Sequence, residues 1–241
     1  NLPFVPDGEG NLAWRAAKLL LDEKGIKDGV TIKIRKYIPV AAGMAGGSTD
    51  AAAVLVGVNR MFDLGFTKKE LMERGVKLGA DVPYCIMRGT ALSEGIGEIL
   101  TELPAPPQCH LVIAKPQISV STKAVYGKLR VNELAPEEHP DIDGMMAAIK
   151  NGDLDGVIER LGNVLETVTV PDHPEIAEIK EIMVENGACG SLMSGSGPTV
   201  FGIYKGRELA EKACQALREA DGGRLTRQVY LTEFYNRKKA R

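Results

Sequence analysis

Histidine occurs only three times in this chain of 241 residues, tryptophan once and cysteine four times, and each scarcity removes a class of chemistry. His110, His139 and His173 are too dispersed to suggest a ligand set; His110, beside a strand-like run, reads as structural. Cys85, Cys109, Cys189 and Cys214 show no C-x-x-C spacing. Neither a zinc site nor a disulfide frame is expected; they read as small buried hydrophobes in a reducing compartment, which makes a cytoplasmic location the expectation. No apolar run approaches the ~18 residues that a membrane span requires. Nor is there an excess of one charge: 30 basic residues stand against 32 acidic ones, so no basic footprint points to nucleic acid. The basic tail 236–241 reads as a solvated end.

Glycine, by contrast, is plentiful, with 27 residues. Its most informative cluster lies in Pro39-Val40-Ala41-Ala42-Gly43-Met44-Ala45-Gly46-Gly47-Ser48-Thr49, followed by Asp50 and an Ala/Val-rich run. Val30, Ile32 and Ile34 alternate with Thr31, Lys33 and Arg35, which predicts a half-buried strand over 30–38 entering this loop. A helix from Ser48 to about Phe62 leaves it. Glycine reaches positive φ without a Cβ penalty and lets backbone approach a ligand. The new helix points its first unpaired N–H groups, and the positive end of its dipole, into the same space. Such a loop binds phosphate by geometry rather than by side-chain charge. A plain strand-to-helix connection is the alternative. The loop is not a Walker motif, since no Lys-Ser/Thr follows its last glycine, and Ala45 breaks G-x-G-x-x-G. Ser48 and Thr49 either donate hydroxyls to phosphate or cap the helix.

A second candidate is Asp81, within Gly79-Ala80-Asp81-Val82-Pro83. Pro83 disfavours the helical region for Val82, so the aspartate is expected on a stiff turn rather than a fraying helix. Spacing alone leaves open whether it caps the next segment or acts in catalysis.

Other elements follow from local signals. Asn11 caps a helix that Gly25 ends. Thr67 and Glu70 form a capping box. The Pro104-Ala105-Pro106-Pro107 run has linker composition, which divides the chain into domains 1–103 and 104–241. Beyond it a strand is expected over 110–115, helices over 119–129, 142–150, 154–165 and 174–185, and a hairpin from 190–193 and 199–204. A helix over 208–220 and a strand over 228–235 complete the order of an α+β split βαβ domain.

The pattern P-x-x-A-G-x-x-G-G-S-[ST]-D-A-A-A beginning at Pro39 resembles the nucleotide loop of the GHMP kinases. Gly79-Ala-Asp81-Val-Pro83 is similar to the segment carrying that family's catalytic aspartate, and Ser194-Gly195-Ser196-Gly197-Pro198 to its late glycine-rich loop. Gly95-Ile96-Gly97-Glu98 and the run from Pro116 to Thr122 fall in the family's order. The match is closer still to the branch acting on 4-diphosphocytidyl-2-C-methyl-D-erythritol. The resemblance implies an α+β, two-domain GHMP kinase fold, with an incomplete S5-like α/β domain followed by a ferredoxin-like split βαβ domain. It implies ATP and Mg2+ as cofactors, transfer to the acceptor's 2-hydroxyl and Asp81 as general base. Nucleotide contacts run from Pro39 to Thr49, and Thr122, Tyr126, Gly195, Ser196 and Gly197 lie against the acceptor.

Two departures stand out. Ala45 occupies a position where the family usually has glycine, tolerable if its φ is negative or the loop bends differently. The family's Lys-bearing first strand and D-G-Y-H segment have no counterpart here. The chain is therefore expected to be a fragment, or else an inactive remnant, and to turn over poorly as it stands. A small-molecule acceptor, with neither nucleic acid nor membrane, and a monomer or homodimer are the expectations for partners. The rivals are a sibling kinase of homoserine or mevalonate type, a non-catalytic nucleotide-binding protein, and a serine hydrolase built on Ser194 or Ser196. The last lacks G-x-S-x-G and a histidine in context.

Overall fold

Asn11 opens the first helix as its side chain requires: Oδ1 accepts the Ala13 N–H at 2.9 Å, satisfying one of the orphan amides of α1 (Leu12–Glu23). Gly25, at φ +64°, closes it. The structure is a computed structural model that describes residues 5–235, so the basic tail lies outside the described residues. The chain clusters into two units, one formed by the residues up to Val40 with Ala45–Glu102, the other by Ala41–Met44 with the chain from Leu103 onward.

In the first unit, α1 packs on α2 (Gly46–Met61), with α3 (Lys68–Val76), α4 (Val82–Met87) and a two-stranded sheet of β1 (Thr90–Glu94) and β2 (Ile99–Leu103). Ala16, Leu20, Ala51, Ala52, Leu55, Leu71, Val82 and Ile86 form its core. Small residues at the α1–α2 contact let the two backbones approach closely. The capping box is present: Thr67 N–H donates to Glu70 Oε2 at 2.8 Å while the Thr67 hydroxyl accepts the Glu70 N–H at 3.3 Å.

The second unit holds a four-stranded sheet of β3 (His110–Pro116), β4 (Gly190–Met193), β5 (Val200–Tyr204) and β6 (Thr226–Glu233). Its order is β4-β5-β3-β6, with every pairing antiparallel. That is the order of a split βαβ sheet, in which the first and third strands of the unit lie at the centre. Val112, Ala114, Val200 and Tyr204 pack with Ile176, Ile179 and Met183 of α9 (Glu175–Glu185) and Ala210, Ala213 and Leu217 of α10 (Arg207–Glu219). Leu111 and Ile203 belong to a separate cluster with Leu154 and Ile158 of α7 (Leu154–Glu159). Alternation along each strand thus feeds two cores. The remaining helices are α5 (Thr122–Lys128), α6 (Ile142–Asn151) and α8 (Glu166–Asp172).

Three expectations need correction. Residues 30–38 alternate between half-buried and exposed as a strand would, yet they join no ladder among the described residues. Periodicity reports which side is buried; strand pairing also needs a neighbour. The helix expected over 154–165 ends at Glu159, and α8 follows it. Asn163 makes the break, because its Oδ1 accepts the Leu165 N–H at 3.0 Å and starts a new turn. Val82, finally, is helical rather than extended, with Pro83 in the first turn of α4. A first turn needs no proline N–H, and Val82 is fully buried against Gly75, whose added Cβ would lie 2.9 Å from Val82 Cγ1.

Candidate active site

α2 begins at Gly46, two residues earlier than expected. Its first helical bond runs from the Thr49 N–H to the Ala45 carbonyl at 2.9 Å, so the amides of Gly46, Gly47 and Ser48 have no acceptor within the helix. These three unpaired donors, with the dipole behind them, give the start of α2 a partial positive charge. Gly46 sits in a tight place: a Cβ there would meet Ile38 Cγ2 at 3.0 Å and Lys36 Nζ at 3.1 Å. That ammonium pairs with Asp50 Oδ2 at 2.6 Å, its side chain only 7% exposed. Lys36 therefore sets a buried cation beneath the first turn, held by the acid that ends the motif. Lys36 and Asp50 stand fourteen positions apart, a separation that carries no periodic signal in the sequence.

Two loop residues depart from expectation. Ala45 has φ +49° and ψ 29°, in the left-handed region, so an alanine occupies the conformation that favours glycine. Its carbonyl accepts both the Thr49 N–H and, at 3.0 Å, the Thr49 hydroxyl, which offsets the strain. Thr49 consequently turns its Oγ1 back onto the helix, with Cys85 Sγ at 3.5 Å, instead of offering it to phosphate. Ala41 is also left-handed, at φ +51°. Pro39 and Ala42 are buried, while Val40 and Gly43 are exposed.

Asp81 occupies the N-cap position of α4 but makes no capping hydrogen bond. Its carboxylate is exposed and not consumed by the helix it precedes. The segment around it lies against the first turn of α2. A Cβ on Gly79 would stand 3.9 Å from Ser48 Oγ, and Cys85, one turn beyond Asp81, meets Thr49. Burial pushes the Cys85 thiol up, partly countered by the Thr49 hydrogen bond and reinforced by the Asp81 charge. The sulfur stays protonated and is no nucleophile. Gly97, at φ +118°, brings the β1–β2 turn close, and its added Cβ would lie 3.9 Å from Asp81 Oδ1.

In the second unit, Gly43 lies beneath the late glycine-rich loop. At φ +67°, its added Cβ would be 2.3 Å from the Ser194 carbonyl oxygen and 3.1 Å from that of Gly197. The Ser194 hydroxyl donates to the Gly43 carbonyl at 2.8 Å. Ser196 Oγ shares a 2.9 Å hydrogen bond with Thr122 Oγ1 at the start of α5. One turn along that helix, the Tyr126 side chain is 60% exposed. The structure thus brings Gly43, Gly195, Ser196, Gly197 and Thr122 together. Ser194 and Ser196 bond to a carbonyl and a threonine hydroxyl rather than to a histidine, which removes the serine-hydrolase reading.

Sequence reasoning missed the residues that brace this loop. Asn163 Nδ2 donates to the carbonyls of Met193 and Gly195 at 2.9 and 2.8 Å. Glu166 Oε1 accepts the Met193 N–H at 2.7 Å while Oε2 takes Lys180 Nζ at 2.6 Å. Thr169 Oγ1 donates to the Ser196 carbonyl at 3.3 Å. Asn163 precedes α8, and Glu166 and Thr169 sit about one turn apart within it.

Two family models match the chain: the GHMP kinases N-terminal domain over residues 11–89 and the GHMP kinases C-terminal domain over 145–222. A curated relative from Lachnospira eligens (strain ATCC 27750), named 4-diphosphocytidyl-2-C-methyl-D-erythritol kinase, is 52% identical over 98% of this chain and 80% of its own length. The chain belongs to the GHMP kinases. Among solved structures, a crystal structure of 4-(cytidine 5'-diphospho)-2C-methyl-D-erythritol kinase superimposes with a TM-score of 0.79 at 32% identity, covering 97% of this chain and 80% of that one. A homoserine kinase from Cytophaga hutchinsonii reaches 0.81 at 22% identity, over 95% and 78%. At that identity the second likeness shows the GHMP kinase fold and does not bear on the acceptor. The two-domain GHMP fold, ATP as phosphoryl donor and an alcohol as acceptor group go with family membership.

Proposed function

We propose that this GHMP kinase transfers the γ-phosphoryl group of ATP to the 2-hydroxyl of 4-diphosphocytidyl-2-C-methyl-D-erythritol. The observation that carries the acceptor's identity is the 52% identity, over nearly the whole chain, to a relative named for that substrate.

The roles follow from the chemistry of each part. Amides of Gly46, Gly47 and Ser48, with the loop from Pro39, cradle the phosphates, and the Lys36–Asp50 ion pair lies against the first turn behind them. Asp81 receives the acceptor's hydroxyl proton as the oxygen attacks the γ-phosphorus. The bond from that phosphorus to the bridging oxygen breaks, and ADP leaves with the electron pair. Tyr126 offers an exposed ring on which a cytosine stacks. Thr122 and Ser196 offer hydroxyls, and Gly195 and Gly197 backbone, to the rest of the acceptor. Mg2+ fits this donor set as a nucleotide-borne ion. The described residues form no group of three or more acidic, histidine or cysteine side chains able to hold a metal. Such an ion takes most of its ligands from phosphate and water, leaving the Ser48 hydroxyl as the side chain to reach it. When bound it neutralises charge building on the phosphates.

The test uses the full-length protein with ATP, Mg2+ and, separately, 4-diphosphocytidyl-2-C-methyl-D-erythritol, homoserine and mevalonate. ADP release is expected with the first acceptor only. Asp81→Ala should lower kcat by about 10²–10⁴-fold with ATP affinity held within about twofold. Near-normal turnover in that variant would remove Asp81 from the mechanism, and ADP release with homoserine alone would reassign the acceptor.

A further inference from the structure

We propose that Lys115 is a positioning residue for acceptor binding: its ammonium shapes the connector between β3 and α5, and so sets where Thr122 and Tyr126 stand. This rests on the reading of those two residues as acceptor contacts, and every residue involved belongs to the second unit. β3 ends in an irregularity between Lys115 and Pro116, where its register against β6 shifts. Such a bulge at a strand end re-aims a side chain. Here the side chain of Lys115 follows the chain onward: Nζ donates to the Pro116 carbonyl at 3.1 Å and to the Ile118 carbonyl at 2.8 Å.

Residues 117–121 belong to no helix or strand, so this stretch has no ladder to fix it, and the ammonium supplies donors instead. Lys115 is itself held by β6, since its carbonyl accepts the Thr226 hydroxyl at 2.6 Å. Gln117 Nε2 donates to the Arg224 carbonyl at 2.8 Å. The connector is thus pinned at residues 116, 117 and 118. Ser121 then caps α5, its Oγ accepting the Ala124 N–H at 3.4 Å, and Thr122 and Tyr126 stand about one turn apart on that helix. Charge matters as well as reach. Lys115 is half-buried, and no charged group among the described residues acts on it. Gln228 opposite it on β6, Thr226, and Thr199 just before the β5 residue that faces Ala114 are all uncharged. Burial alone lowers its pKa from the ordinary lysine value. An apolar chain would pack there without that cost; what the lysine adds is two charge-assisted bonds to the connector.

The experiment is steady-state kinetics of the full-length protein at about pH 7.5 and about pH 9.5, with ATP and 4-diphosphocytidyl-2-C-methyl-D-erythritol varied separately. Lys115→Met keeps the apolar stem and removes the donors. It should raise KM for the acceptor about tenfold, with kcat and KM for ATP held within about twofold. Lys115→Arg keeps both charge and donors and should restore most of the loss. In the wild type, KM for the acceptor should rise about two- to threefold at the higher pH. There the amine loses its proton below the ordinary lysine range and keeps only weaker neutral donors. Both variants should lack this rise, since arginine stays charged and methionine has no proton to lose. A thermal melt of each variant checks folding, and a general packing defect would move kcat and KM for ATP as well and would not respond to arginine. Tyr126→Ala tests the underlying reading and should raise KM for the acceptor about two- to tenfold. If it does so while Lys115→Met leaves that KM unchanged, or keeps the wild-type rise with pH, the positioning role is overturned and the acceptor contacts stand. If Tyr126→Ala leaves KM for the acceptor unchanged, both are overturned.

Discussion

Ala45 shows how much a single backbone angle decides in this loop. A left-handed alanine costs about 1–2 kcal/mol relative to an unstrained one, and here the two hydrogen bonds on its carbonyl hold it in place. Replacing it by glycine relieves that strain but adds about 0.4–1 kcal/mol of unfolded-chain entropy. Ala45→Gly should therefore raise stability by up to about 1.5 kcal/mol, read as an upward shift of the urea midpoint with unchanged slope. A fall in the midpoint would mean that the loop does not need this angle. The positive φ was not legible beforehand, because an alanine in a glycine-rich run looks like an ordinary small residue. Asp81 differed. Its proline neighbour and glycine flank marked a constrained turn, and the turn is there, although the extended Val82 inferred from Pro83 is not. Lys36–Asp50 and Asn163–Gly195 are long-range pairs that no local rule could join.

Among the elements, the contact of α3 with α4 has the most direct link to chemistry. Gly75 lets Val82 pack flat on α3, and Val82 is the residue after Asp81. An alanine at 75 gains helix propensity worth about 1 kcal/mol but overpacks a stiff β-branched partner at a cost of about 1–3 kcal/mol. Gly75→Ala should lose about 1 kcal/mol net and reduce kcat several-fold by displacing Asp81, with KM for ATP nearly unchanged. Denaturant melts and steady-state kinetics together check this, and an unchanged kcat would separate the α3 contact from catalysis. Helices with caps and glycine stops were readable from sequence, as α1, α3 and α9 show. The helix α8 was not, because Thr167-Val168-Thr169-Val170 has the β-branched composition of a strand and only tertiary contacts make it helical. Residues 30–38 erred in the opposite sense, with a strand's pattern and no ladder.

Over the whole molecule, the thiols give a pH signature. Cys109 is 6% exposed, and burial, helped by the Glu233 charge and then Cys189, pushes its pKa up to about 11. Burial also raises Cys85 and Cys214. Above an ordinary thiol pKa of about 8.5 the unfolded chain loses these protons while the native state keeps them, so the native state binds more protons and stability falls as pH rises. The loss for Cys109 should amount to on the order of 2 kcal/mol between about pH 9 and 11. Cys109→Val, which keeps an apolar side chain in the β3–β5 cluster, should flatten that part of the decline in urea midpoints measured at both pH values. Parallel declines for the two proteins would place the titration elsewhere.

The hydrogen bond from Ser194 to Gly43 joins positions 151 residues apart. During synthesis the glycines of the first motif leave the ribosome long before the serine that pins them exists. The earlier motif is thus a tether waiting for its anchor. A gene cut anywhere between the two family models would yield a first half that keeps every glycine of the motif and lacks the serine that holds Gly43.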